Sequence, residues 1–589
     1  MDALSAVFAV TIGLVAAAAA VFAVGYSSRN TVSDFTLPLF VLAMFCVVTA
    51  ANVATFLFAW ELMALSSFVL VIGDGVPRSR RQAGFLYAAM THVATVFVAG
   101  AFFLIARDAG SQEFARMSAS GEAMTRTASS VAFLFAAAGF GTKAGLVPLH
   151  IWLPRAHPVA PSHVSALMSG AMVNTGLYGI MRVSLDFLGP GEEWWGVTLI
   201  VVGSLSAVLG ILYAVTEHEM KRVLAFSTIE NVGIATVGIG VALTFQSHLQ
   251  PALASAALVA VLLHVLSHSV LKGALFLAAG AVQRSAHTLN LDRLGGLSRR
   301  MPATAAVTLV TSLAVVGLPP FSGFPGEWLL FRSLLALGQF DSGTIAPLVG
   351  LAALGALVLT GGLALACFVR LYGIAFLGVA RSPEADQARE VSLSMRLPLL
   401  ALGAVAALGG VAAPLVIRIV RPAARSLFSD PGVRIEAARR FADPAGGSLS
   451  LLAVTAVFAL AGVTAWLALR LILGATSDAR GAIWATGMQF RPTMQYTATS
   501  FSKPLRLFFS RVLLPERRIE TEFHGASPLP RLVRYSGRVP AMFEERVYHP
   551  ARGFAIWSAA RVRTVQNGSV QVYLLYIVAT LVILLGVTR

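Results

Sequence analysis

The strongest constraint on this chain is the recurrence of long apolar runs. Runs of about 17 residues or more, enough to cross a hydrocarbon layer ~30 Å thick, lie near 3–25, 35–51, 53–72, 84–106, 130–154, 161–187, 194–216, 223–245, 251–281, 303–340, 345–380, 397–418, 448–474 and 571–587. They predict about fourteen transmembrane helices in the 589 residues. Charged residues make up 12% of the chain, about half the ~25% of soluble domains. In lipid a span must satisfy its own backbone polar groups, so the expected fold class is an all-α polytopic membrane protein. No cleavage-site pattern follows the first run, which reads as an anchor and not a removable signal.

The net charge of +16 is concentrated. Between 475 and 570 there are 14 Arg and Lys against 6 Asp and Glu, a balance of +8. A basic polar segment between the last two crossings points to the cytoplasmic side of a membrane and not to nucleic acid. Counting back, the loops holding Arg78, Arg80 and Arg81 and Arg293, Arg299 and Arg300 also fall inside, and the amino terminus outside. The basic 418–445 stretch, with Arg418, Arg421, Arg425 and Arg434, then falls outside, against the rule. Cys46 and Cys367 both lie within apolar runs and outside any metal-ligand spacing, so no metal or redox cofactor is expected in this chain.

Arginine outnumbers lysine 40 to 4. Two of the four lysines, Lys143 and Lys272, interrupt apolar runs, whereas Lys221 and Lys503 stand at polar edges. A buried ammonium can shed its proton near neutral pH and a guanidinium cannot; snorkelling from a helix end is the alternative. Glu61, Glu230 and Glu327 likewise interrupt apolar sequence. Ionisable groups at membrane depth are costly and mark proton or ion pathways by default. In LLHVLSHSVLKGALFL, His264, His268 and Lys272 recur at i, i+4 and i+8 and so share one helical face. Such a stripe suits a proton relay, where a lone histidine would more often be core.

Two segments combine an apolar run, a Gly/Pro break and a titratable residue beside it. The first, 139–163, carries Lys143 with Pro148 and Pro154; the second, GLPPFSGFPGE at 317–327, carries Pro319 and Pro320 with Glu327. Proline removes a donor, and irregular backbone at membrane depth is tolerated only when buried in protein or lining a wet cavity. Five crossings over 35–187 and five over 194–380 each have a broken fourth member. An odd number per set inverts the second repeat relative to the first, with an ion site between them. The remaining divisions are an amino-terminal helix (1–34), two additional membrane helices (397–474), a basic cytoplasmic or interfacial extension (475–570) and a closing anchor (571–589).

GTKAGLVPLHIWLPRAHPVAPSHVSALMSG, WE at 60–61, KRVLAFSTIENVG at 221–233, HVLSHSVLKGALFLAAG at 264–280 and LPPFSGFPGEW at 318–328 resemble a known family. It comprises the antiporter-like subunits of respiratory complex I, Mrp-type cation/proton antiporters and membrane-bound NiFe hydrogenases. TEHEMKRVLAFSTIENVG, MQYTATSFSKPLRLFF and NGSVQVYLLYIVATL resemble the formate hydrogenlyase and hydrogenase-4 component B type most closely. The resemblance implies a proton-translocating membrane subunit with no redox site of its own. Its peripheral and membrane partners would hold NiFe and iron–sulfur centres, or NADH and flavin, in the cytoplasmic membrane of a bacterium or archaeon. It implies that Glu61 and Lys143 form a pair, that His264, His268 and Lys272 are the central relay, with Glu230 beside it, and that Glu327 is the terminal acid. The opening MDALSAVFAV resembles the family's third helix, implying that the first two are absent. Met168 and Asn174 stand where the family often has a lysine or histidine, so the route onward from Lys143 is expected through water, Ser169, Thr175 or Glu230. Two other functions fit the resemblance: an Mrp-type subunit exchanging protons for sodium, and a scaffold that does not pump. The amphipathic FSKPLRLFFSRVLL either lies along the membrane face and clamps neighbouring subunits or is a solvated linker held near anionic lipid.

Overall fold

The structure, a computed structural model, describes residues 1–27, 31–73, 78–120, 124–340, 343–428, 451–473, 487–523 and 530–563, with a few positions beyond. The chain starts with α1 (Ala3–Tyr26), whose N-cap Asp2 accepts from the Ser5 amide at 2.8 Å, followed by α2 (Thr31–Thr49), α3 (Val53–Ile72) and α4 (Arg78–Ala109). After the short α5 (Phe114–Ser120), α6 (Arg126–Ala144) ends at Gly145, whose left-handed conformation closes the helix as only glycine does without strain. An irregular stretch then leads to α7 (Leu153–Val159). One longer run holds α8 (Ser162–Leu167) and α9 (Val173–Met181), with π-helical turns at Met168–Met172 and Arg182–Phe187.

The second set comprises α10 (Glu193–Ala214), α11 (Met220–Ser247) and α12 (Pro251–Ala286), then the one-turn α13 (Leu297–Arg300), α14 (Pro302–Val315), α15 (Gly323–Gly338) and α16 (Ala346–Phe376). The break in each set falls in the fourth crossing, between α6 and α7 and between α14 and α15. Pro148 lies in the first break and Pro319 and Pro320 in the second, but Pro154 occupies the first turn of α7. There its missing amide costs nothing, so Pro154 opens a helix and does not break one. After the short α17 (Pro383–Asp386), α18 (Leu393–Leu408) and α19 (Ala413–Ser426) meet at a 91° bend within the expected 397–418 crossing.

Among the described residues eight helices are long and apolar enough to cross a membrane, or nine with the bent pair. The other expected crossings are the interrupted pairs and the helix Leu451–Leu473, whereas the 571–587 run lies largely outside the described residues. Helix α11 is buried along nearly its whole length. Small residues let a neighbour approach it closely, as in other membrane bundles. A Cβ at Gly203 of α10 would lie 2.7 Å from the Gly233 carbonyl, and one at Gly210 would lie 2.6 Å from the Glu230 amide. These contacts hold Glu230 at the centre of the bundle.

Residues Met1–Leu505 form one unit and Arg506–Arg589 a second. Within the first, the strand of chain before the helix Ala498–Phe508 is pinned to the loops. Gln495 makes two bonds with the Val379 backbone, Arg381 donates to the Tyr496 carbonyl, and Arg370 to those of Ala498 and Glu217. Asp292 accepts from the Ala498 amide at 2.7 Å and the Thr499 hydroxyl at 3.1 Å, capping that helix from a distant loop. The second unit holds an antiparallel hairpin, β1 (Glu516–Phe523) with β2 (Pro530–Arg538), and a helix His549–Arg563. The hairpin is the one element type the sequence reading leaves out of the 475–570 extension.

Candidate functional site: a buried polar row

Lys143 sits in the last turn of α6, fully buried, just before the break. Its Nζ donates to the Tyr87 hydroxyl of α4 at 3.0 Å and lies 5.3 and 5.7 Å from the Tyr87 and Trp60 ring centroids. Tyr87 in turn shares a 2.6 Å hydrogen bond with Ser67 of α3 and reaches Met172 Sδ at 3.4 Å. The Trp152 indole donates to the Thr142 carbonyl at 2.8 Å, and the Val147 amide to Ser206. Backbone groups freed by the break are thus satisfied within protein, as membrane depth requires.

Glu61 does not contact Lys143. Its Oε2 lies 3.0 Å from Nδ1 of His92 on α4, and its other oxygen, Oε1, has no hydrogen-bond partner. The expected pair is thus not a direct contact: Glu61 meets His92 and Lys143 meets Tyr87. The Glu61 carboxylate acts on the Lys143 ammonium through space only.

The densest cluster joins α11 to α12. Lys272 Nζ donates to Ser227 Oγ at 2.7 Å, and Ser227 donates to Glu230 Oε2 at 2.7 Å. All three side chains are buried. One hydroxyl therefore links a cation to an anion, accepting from the first and donating to the second. Asn231 contacts the same Glu230 oxygen at 3.4 Å, and the His264 ring donates from Nε2 to the Asn231 carbonyl at 3.2 Å. His268 keeps its place on the stripe, but its Nε2 has no partner. The three residues of the stripe thus share a face without forming a continuous hydrogen-bonded chain.

Glu230 and Glu327 line one cavity of about 10 Å³ together with Ile234, Phe331 and Thr360. That volume is about what a single water needs. Glycines let the second break close on it: a Cβ at Gly317, where φ is +73°, would lie 2.2 Å from Glu327 Oε2, and one at Gly326 would lie 2.8 Å from the His264 amide.

Between the two lysines, Ser169 on the first π turn meets Thr228 of α11 at 2.6 Å, next in sequence to Ser227. Thr175 turns away, to the Met172 carbonyl and Met63 Sδ. Asn174 donates to Ser269 and the Gly170 carbonyl and leaves Oδ1 unpartnered. Of the expected bridges, Ser169 is the one joined to α11. His157 is also buried here, stacked 4.9 Å from Phe276 with neither ring nitrogen bonded. The sequence reading misses Tyr87, His92, Ser227, Thr228 and His157. His92 interrupts an apolar run and Ser227 stands one turn before Glu230, signals that would have found both. Among the described residues no group of three or more His, Cys, Asp or Glu is placed to hold a metal ion.

Residues 50–355 match the family model described as NADH:quinone oxidoreductase/Mrp antiporter, TM. Hydrogenase-4 component B of Escherichia coli (strain K12) is 35% identical over 600 residues, covering 99% of this chain and 88% of the relative. Formate hydrogenlyase subunit 3 of the same strain is 31% identical over 517 residues, 87% of this chain and 80% of the relative. The fold is shared with a chain of the membrane-bound sulfane sulfur reductase, an archaeal respiratory membrane complex. That match has a TM-score of 0.76 at 22% identity and covers 100% of this chain and 89% of the other. The chain belongs to the NADH:quinone oxidoreductase/Mrp antiporter family of multi-pass membrane subunits.

Proposed function

We propose that this chain is the proton-translocating membrane subunit of a hydrogenase-type or complex-I-like oxidoreductase, and that Lys143, Glu230, Lys272, His264, His268 and Glu327 carry the proton. The observation that supports this best is the buried Lys272–Ser227–Glu230 bridge. Burying a charge pair of this kind is costly and adds little stability over an apolar core, so its presence points to use. Ser227 can pass a proton by giving its own to Glu230 Oε2 while taking one from Lys272. Glu230 faces Glu327 across a cavity with room for one water, which extends the row. On the other side Ser169 bonds Thr228, and Met172 of the same π turn lies 3.4 Å from the Tyr87 hydroxyl that accepts from Lys143, with Glu61 and His92 beyond. Redox chemistry, with NiFe and iron–sulfur centres or NADH and flavin, belongs to partner subunits of an assembly in a bacterial or archaeal cytoplasmic membrane. The relatives named for hydrogenase-4 and formate hydrogenlyase support that assignment.

The test is Lys272→Met in the native complex, with proton release measured per electron delivered. The substitution keeps the side chain's length and removes its charge. Loss of proton release with the complex still assembled and reducing its acceptor is the expected result. An unchanged ratio of protons to electrons would identify the chain as a scaffold.

A further inference from the structure

Away from the polar row, the structure holds a basic cavity that the proton pathway does not use. It has a volume of about 340 Å³ and is lined by Tyr26, Ser27, Arg80, the Pro158–Pro161 stretch, Gln283, Arg284 and His287. Pockets that take small ligands begin at ~300 Å³. Three elements bring the basic groups together: Arg80 comes from the first turn of α4, Arg284 from the last turn of α12, and His287 from the residue that caps α12.

Among the described residues no carboxylate lines this cavity, and none forms an ion pair with Arg80 or Arg284. A further cation lies behind it. Lys221 is buried and donates to the Ala160 carbonyl at 2.9 Å. The neutral donors are also arranged for an acceptor. Tyr26 donates to Gln283 Oε1 at 3.0 Å, which fixes the amide and leaves its NH₂ without a partner among the described residues. Two guanidinium groups that no carboxylate opposes among the described residues, beside an amide donor, form a site for an anion with several oxygens, which arginine binds bidentately. Prolines and Val159 make the remaining wall apolar, and basic pockets between membrane helices recognise lipid headgroups.

We propose that this cavity binds a phosphate group of net negative charge, with no cation attached to it, held by Arg80 and Arg284 with Gln283 and His287 as further donors. A phospholipid headgroup and free phosphate share that chemistry. The site is separate from the proton pathway, so it stands or falls independently of the proposed function.

The test is native mass spectrometry of the purified full chain, titrated with phosphatidylglycerol, with zwitterionic phosphatidylcholine, and with inorganic phosphate alone. Wild type should retain one phosphatidylglycerol that phosphatidylcholine does not replace, or one phosphate ion. Retention of the lipid in excess inorganic phosphate assigns the site to a headgroup, whereas binding of phosphate alone assigns it to the soluble ion. In the Arg80→Ala/Arg284→Ala double variant that affinity should fall about tenfold or more. Arg284→Gln, a change at an exposed position, should weaken it in the same direction if the double variant fails to fold. Equal binding of the two lipids with no phosphate bound, or wild-type affinity in a folded double variant, would overturn the proposal.

Discussion

Replacing Ser227 with alanine removes one oxygen and two hydrogen bonds, both to groups proposed to carry charge. The Lys272 ammonium loses its acceptor at 2.7 Å and Glu230 Oε2 loses its donor at 2.7 Å. A hydrogen bond to a charged group is worth about 1.5–3 kcal/mol, and leaving a buried partner unsatisfied costs about the same. The two together amount to roughly 3–6 kcal/mol if nothing refills the space. Asn231 holds the same carboxylate oxygen at 3.4 Å, and a water in the vacated space would recover part of the remainder. Halving the range leaves about 1.5–3 kcal/mol on the transfer step, a slowing of roughly 10- to 150-fold. The assay is proton uptake into vesicles holding the native complex, at matched electron-transfer rate. Ser227→Thr keeps the hydroxyl and should restore most of the flux. Wild-type proton flux in Ser227→Ala would refute the bridge as a transfer step. So would equal losses in the alanine and threonine variants, since those would report packing.

Tyr87→Phe removes the acceptor of the Lys143 ammonium and should lower proton flux while the complex still assembles, by about 1.5–3 kcal/mol on any step through Lys143; the same vesicle assay reads it. Gly317→Ala would place a carbon 2.2 Å from Glu327 Oε2 at a φ of +73°, and should cost roughly 1–3 kcal/mol, seen as a lower melting temperature, with Glu327→Gln unable to restore it. At Asp292, burial raises the carboxyl, but the His218 bond and charge, the Ala498 amide and the Thr499 hydroxyl outweigh it and hold the group at about 2. A lowered value stabilises above the unfolded range near 3.9. Attachment of the 495–502 segment should therefore be constant down to about pH 4 and weaken as pH falls toward 2. Asp292→Ala should expose Phe501 to chymotrypsin already at pH 7.

The sequence showed the architecture more clearly than the wiring. Apolar runs and proline breaks are long signals, and both breaks fall in the expected fourth crossings. Lys143, Glu230 and Lys272 stood out because a charge inside an apolar run is costly. The groups between them did not, because serine, threonine and tyrosine cost little in a membrane helix and so are common there. Ser227 bridges Lys272 to Glu230 because α12 packs against α11, a geometry between two helices that spacing along one helix does not contain. Glu61 and Lys143 lie on different helices for the same reason. Their side chains turned to His92 and Tyr87, partners on α4 that no pairwise motif names. The π turns were equally hidden, since an added residue in a helix leaves composition unchanged.

The small cavity between Glu230 and Glu327 has a consequence for ion selectivity. At about 10 Å³ it accommodates one water-sized particle and no coordination shell. A sodium ion would have to arrive stripped of its hydration and settle between the Glu230 and Glu327 carboxyl groups and Thr360. A proton needs only a single oxygen to hop through. On the proposed proton route, exchanging external sodium for potassium or choline should leave the flux unchanged.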